Sequence, residues 1–158
     1  MRSVQLPASL LEEMSAHGRS TYPEECCGFL IGRVNEATPS GERAILAVER
    51  AENGSSGERT RRFMIPPDQL RLLERRLEST AQAVVGFYHS HPDHPARPSQ
   101  FDQEHAWPWY TYLVLSVTES GTPAVGAFEL DPDAEKFREL RLSVTGPEPT
   151  IARRLGRA

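Results

Sequence analysis

A chain of 158 residues with 38% apolar and 25% charged side chains has the length and composition of one globular domain rather than two. Its formal net charge of −4 argues against a protein whose main task is coating nucleic acid, and no apolar run approaches the ~20 residues that a membrane-spanning helix needs. The amino terminus, MRSVQLPASLLEEM, lacks the apolar stretch and small-residue cleavage site of a signal peptide, so the expected location is the cytoplasm.

Pro7 stands where a helix starts, and Leu10, Leu11 and Met14 recur at helical spacing up to His17–Gly18. Cys26 to Val34 is a short apolar run bounded by glycines and suits a buried strand; Ala44 to Glu49 alternates and reads as another, with Asn35 to Arg43 turning between them. Asn53 to Arg62 is polar, glycine-bearing and basic, hence an exposed loop, and Phe63 to Ile65 is a candidate short strand. Pro66-Pro67-Asp68 opens a second helix, whose Leu70, Leu73, Leu77 and Ala81 form the stripe expected to be buried. Ala83 to Tyr88 and Thr111 to Thr118 read as buried strands, the second apolar enough for burial on both faces. Gly121-Thr122-Pro123 turns the chain into Ala124 to Leu130, and a last strand is expected over Glu139 to Val144. The pattern describes a single α/β (α+β) domain over residues 1–145, built on a mixed central β-sheet flanked by helices, with a loose tail at 146–158.

Seventeen of the eighteen basic residues are arginine, which together with abundant alanine and proline reflects a GC-rich genome more than a function. The two cysteines are adjacent, Cys26 and Cys27, and neighbouring cysteines seldom bridge, so they read as small apolar residues entering a buried strand. The histidines are the uneven feature. Three of five, His89, His91 and His94, fall within six residues, and His105 follows closely.

His89 and His91 are two residues apart where a strand ends, so in extended chain they point to one side and can share a metal. Pro92, Pro95 and Pro98 stiffen the following loop. Ser99 then reads as a helix N-cap with Asp102 three residues on, a spacing that fits an ordinary capping box and equally lets Asp102 turn back toward the histidines. Two histidines and one carboxylate leave a fourth position for water, as in a catalytic rather than a structural zinc site. Such a site needs a base; Glu24 and Glu25 at the mouth of a buried strand, and Glu104, are the candidates. His94 reads as a rim residue, His105 as surface or core, Ser90 as an incidental small residue, and Trp107, Trp109, Tyr110 and Tyr112 as core and edge packing, with a groove for an extended peptide as the alternative.

His89-Ser-His91-Pro92, six residues, Ser99, two residues, Asp102 resembles the H-x-H-P-x6-S-x-x-D signature of JAMM (MPN-plus) metallopeptidases. Upstream, Glu25-Cys-Cys-Gly28-Phe-Leu30-Ile-Gly32 is similar to that family's E-x-x-G-x-L-x-G segment. The resemblance runs from about Glu25 to Thr118. It implies a cytidine-deaminase-like fold, Zn2+ held by His89, His91 and Asp102, Glu25 as general base and then acid toward the leaving amine, and Ser99 as hydrogen-bonding partner of the bound water or the oxyanion.

The compact length resembles prokaryotic members that act on ubiquitin-like sulfur-carrier proteins. The resemblance therefore implies hydrolysis of an amide or isopeptide bond after such a carrier's C-terminal tail, with no nucleic-acid or membrane partner. The basic loop carrying Arg59, Arg61 and Arg62 is a candidate contact for that tail, its alternative being a solvated surface loop. Two other readings fit the same residues: an isopeptidase that removes a ubiquitin-like modifier from protein lysines, and a non-enzymatic binding module whose metal only stabilises the fold.

Overall fold

The computed structural model describes residues 2–34, 41–54, 65–119 and 124–146. Arg59, Arg61 and Arg62, most of the turn after Val34, the strand expected at Phe63, the turn at Gly121 and the tail beyond Gly146 lie outside the described residues.

The elements are β1 (Ser3–Pro7), α1 (Ala8–Thr21), β2 (Cys27–Val34), β3 (Arg43–Ala51), α2 (Pro67–Leu77), β4 (Ala83–Pro92), α3 (Gln100–Glu104), β5 (Thr111–Val117), β6 (Ala124–Asp131), β7 (Lys136–Glu139) and β8 (Arg141–Thr145). They form one eight-stranded sheet in the order β7-β6-β5-β4-β2-β3-β1-β8. The sheet is mixed, as expected: β4 runs parallel to β5 and β1 parallel to both β3 and β8, while the remaining pairs are antiparallel.

The two faces of the sheet carry separate cores. On one, Leu10 and Met14 of α1 pack with Val4, Leu6, Leu30, Ile45, Val85, Tyr88, Leu113 and Leu115. On the other, Leu73 of α2 packs with Phe29, Ile31, Val84, Phe87 and Tyr112. β5 is buried almost throughout because a helix-covered layer lies on each side, which accounts for its unbroken apolar run.

Three expectations needed revision. A strand, β1, precedes the first helix; the alternation of buried Val4 and Leu6 was its signal, and Pro7 closes it while capping α1. The second helix ends at Leu77, so Ala81 is exposed rather than part of the buried stripe. The last strand is two, split at Leu140. β7 and β8 lie at opposite ends of the sheet yet are one residue apart in the chain, so the sheet must curl until its ends meet. Leu140 is buried in the seam and its N–H donates to Ala127 O at 2.8 Å. Buried Glu129 ties the same seam, accepting from Arg2 Nε at 2.7 Å and from Arg138 Nε at 2.9 Å.

Candidate metal centre and active site

β4 continues past Tyr88 to Pro92, so His89 and His91 are strand residues rather than loop residues. Side chains alternate along a strand, and both imidazoles therefore emerge on the face that carries Phe87, toward α3. β2 ends its pairing with β4 at Cys27 opposite His89, which places Glu25 just beyond the last rung and beside the histidines.

Three donor atoms converge. His89 Nε2 and His91 Nε2 are 3.1 Å apart, and Asp102 Oδ2 is 3.0 Å from each. An ion held at about 2.0–2.2 Å by three tetrahedrally placed donors spaces them roughly 3.3 Å apart, close to this triangle. Two imidazole nitrogens facing each other at this distance cannot both carry protons, whereas one cation satisfies all three lone pairs. The residues fit a divalent metal.

Neighbouring groups set the donors' orientation. His91 Nδ1 lies 3.2 Å from Pro95 O, which assigns its proton to Nδ1 and leaves Nε2 free to ligate. Ser99 N donates to Asp102 Oδ2 at 2.8 Å, and Asp102 N donates to Ser99 Oγ at 3.0 Å. The capping box and the candidate ligand are thus one arrangement: the helix cap aims the carboxylate at the histidines. Burial opposes ionisation of Asp102, but the two imidazoles and the Ser99 N–H hold its carboxyl far below the usual carboxylate range. Burial lowers His89, while at His91 the bond and charge of Asp102 overcome burial and raise it.

The structure separates the candidate bases. Glu24 and Glu104 are exposed, whereas Glu25 is 5% exposed and has a ligand atom within 4.8 Å of those of His89 and His91. Burial pushes the Glu25 carboxyl up to about 8, with His91 opposing and Asp102 adding to the rise. Glu25, His89 and His91 are themselves a set that could hold a metal ion, but Asp102 is the carboxylate in direct contact with both imidazoles, at 3.0 Å from each.

A cleft of about 880 Å³ opens over the site, with Glu25, His91, His94, Arg97, Ser99 and Glu104 on its walls. His94 is a rim residue, as expected. On the other side of His89 and Asp102 lies an apolar recess of about 200 Å³ that includes Phe87, Phe101, His105, Trp107 and Tyr112. His105 stacks on Phe101 at 4.1 Å between ring centroids and its Nδ1 lies 2.8 Å from Phe101 O, so it is a wall of that recess and not a ligand. Tyr112 is core, as the packing expectation has it, whereas Trp107 and Trp109 are 54% and 46% exposed, in keeping with edge positions or the groove alternative.

Sequence reasoning passed over Ser90 and His17. Ser90 is fully buried; its Oγ accepts from Cys26 N at 2.8 Å and its N donates to Cys26 O at 3.0 Å. His17 Nδ1 meets Tyr88 Oη at 2.7 Å beneath the same strand. A serine flanked by two motif histidines was the available signal for the first; nothing local marks the second. Cys26 and Cys27 are buried and unbridged, and burial raises both thiols, to about 11 and about 12, so they are inert packing residues as expected.

Comparison with known proteins finds relatives over most of the chain. The family described as prokaryotic homologs of the JAB domain matches residues 7–130. The desampylase of Haloferax volcanii is 33% identical over 146 residues, covering 89% of this chain and 96% of that protein. The CysO-cysteine peptidase of Mycobacterium tuberculosis is 28% identical over 138 residues, covering 85% of this chain and 80% of the relative. Among solved structures, a Desulfitobacterium hafniense protein determined in solution superposes with a TM-score of 0.78 at 28% identity, covering 91% of this chain and 94% of that one.

Proposed function

Since the chain belongs to the prokaryotic JAB family and is a hydrolase of the JAMM type, we propose that it is a zinc peptidase acting on a ubiquitin-like sulfur-carrier protein in the cytoplasm. It would hydrolyse the amide or isopeptide bond that follows the carrier's C-terminal tail. The observation that carries this reading is the 3.0–3.1 Å triangle of His89 Nε2, His91 Nε2 and Asp102 Oδ2 with buried Glu25 beside it.

His89, His91 and Asp102 would hold the zinc. When bound, such an ion acts as a Lewis acid that polarises the scissile carbonyl and lowers the pKa of water to roughly 7. Glu25 is the base: it takes a proton from the attacking water and returns it to the nitrogen as the C–N bond breaks, so one water is consumed and a carboxylic acid and an amine result, the acid then losing its proton to the amine or to solvent. Ser99 Oγ accepts from Asp102 N, which leaves its hydroxyl proton to donate into the cleft, where negative charge develops on the carbonyl oxygen. Arg59, Arg61 and Arg62 remain the proposed contacts for the tail of an acidic carrier.

The relative named CysO-cysteine peptidase supports release of a group from a carrier, and the relative named desampylase supports the second reading, removal of a modifier from protein lysines. Both names are those of enzymes, which disfavours a metal-stabilised module without activity. The test is mass spectrometry of C-terminally extended carrier proteins incubated with the zinc-loaded protein, with and without chelator. Loss of the extension only without chelator is expected; intact extensions on every carrier, with zinc bound, would overturn the proposal.

A further inference from the structure

One arginine, the exposed Arg97, stands on the wall of the cleft over the site. Arg97 lines it together with Glu25, His91 and Ser99, and His94 sits on the same rim. Among the described residues the Arg97 side chain has no hydrogen-bond or ion-pair partner. The other charged group on the cleft walls besides Glu25, Glu104, is engaged by Gln100 Nε2 at 3.1 Å.

The placement of Arg97 is stiff. It stands between Pro95 and Pro98, whose rings fix φ, and its own N–H donates to Pro95 O at 2.8 Å. That same carbonyl orients His91, and two residues further on Ser99 caps α3 and aims Asp102. The loop that arranges the ligands therefore also sets the position of Arg97.

Which side of the bond lies in this cleft follows from Glu25, and here the inference rests on the function proposed above. If Glu25 returns the proton to the leaving nitrogen, that nitrogen sits against Glu25, and the departing group extends into the cleft. In a released α-amino acid a carboxylate lies two bonds from that nitrogen, about 2.5 Å away. In a lysine isopeptide the nearest carbonyl of the leaving chain is a whole side chain further on and is an uncharged amide.

We propose that Arg97 is a specificity-determining residue that takes the free α-carboxylate of the leaving group, so that the enzyme favours release of a single C-terminal amino acid over cleavage from a lysine side chain. A guanidinium presents paired N–H donors that match a carboxylate, and a charge-assisted contact of this kind changes affinity by roughly tenfold or more. An amide at the same place offers only a neutral carbonyl.

The experiment uses the zinc-loaded protein and a Gly-Gly-terminated ubiquitin-like carrier extended by one alanine, prepared as the free acid and as the carboxamide. Binding is followed by titration calorimetry and cleavage by mass spectrometry. The free acid is expected to bind about tenfold more tightly and to be cleaved with a correspondingly higher kcat/KM. Arg97→Gln should remove that preference by bringing the acid down to the level of the carboxamide, and Arg97→Lys should restore part of it. Equal behaviour of acid and carboxamide in the unaltered protein, or an equal loss for both in Arg97→Gln, would overturn the inference and assign Arg97 to the carrier body. Acid-selective binding without cleavage would overturn the hydrolytic reading, and the release preference with it, while keeping the carboxylate contact at Arg97; cleavage of both conjugates at equal rates would overturn this inference alone, and binding of neither would overturn both.

Discussion

Ser90 and Cys26 are joined by two hydrogen bonds, Cys26 N to Ser90 Oγ at 2.8 Å and Ser90 N to Cys26 O at 3.0 Å. This clamp extends the β2–β4 pairing one step past its last rung, and Glu25 is the next residue along. Ser90 itself lies between His89 and His91. One small buried side chain thus holds the proposed base in register with two proposed ligands.

Replacing Ser90 with alanine strands the buried Cys26 N–H. The expected cost is about 1–3 kcal/mol, or a fall in Tm of roughly 2–10 °C. Glu25 also loses its lateral support, so kcat should drop about tenfold while zinc content stays near one per chain. Thermal melts, steady-state kinetics and elemental analysis measure the three effects; unchanged kcat would show that Ser90 supports the fold and not the base.

Zinc should stabilise the folded protein, because its proposed ligands come from β4 and α3 and are assembled only when these meet. Chelation is expected to lower Tm, and addition of zinc to restore it. In His89→Ala the Tm should no longer respond to chelator, whereas in Glu25→Ala the response should persist although cleavage is lost. A chelator response surviving in His89→Ala would rule out the ligand set.

Backbone crowding makes certain glycines irreplaceable. A Cβ at Gly86 would lie 1.9 Å from Thr111 O across the β4–β5 pair, and one at Gly28 would lie 2.2 Å from the Tyr88 ring and 2.6 Å from Glu49 O. Either alanine variant must push neighbouring strands apart. A loss of about 3 kcal/mol or more is expected, read as a shift in urea midpoint or failure to accumulate in soluble form.

His17 predicts a pH dependence of stability remote from the metal centre. Its burial, with the Arg50 charge adding to it, lowers its pKa from the ordinary 6.5 to about 4. Below pH 6.5 the unfolded chain takes up a proton that the folded chain refuses until near pH 4. Unfolding free energy should therefore fall as pH drops through this window, by at most ~1.4 kcal/mol per pH unit. In His17→Gln this contribution disappears. Urea titrations from pH 7 to pH 4.5 on both proteins test it: a wild-type-minus-variant difference that does not vary with pH would refute the assignment.

Much of the site was legible in the primary structure because its chemistry is local. His89 and His91 are adjacent same-face positions of one strand, and Ser99 and Asp102 are N-cap and N3 of one short helix. The glycines at 28 and 32 belong to the same legible pattern, since their spacing reflects close contacts made by one strand: Gly28 under Tyr88 and Gly32 against Ala44 O.

What no pattern of residues along the chain determined is how these local pieces face one another. By local pattern Glu24 and Glu25 are alike and the family resemblance alone favours Glu25; the pairing of β2 with β4 supplies the physical reason, burying Glu25 beside the histidines and leaving Glu24 in water. Ser90 acquires its role from a strand more than sixty residues away, and His17 from the underside of β4. The break at Leu140 is likewise invisible locally, since it arises from a sheet curling until its two ends share one residue. Residue types and spacings along the chain decide which groups can hold a metal. Long-range strand pairing, which depends on backbone hydrogen bonds between distant segments, decides which carboxylate is buried beside them.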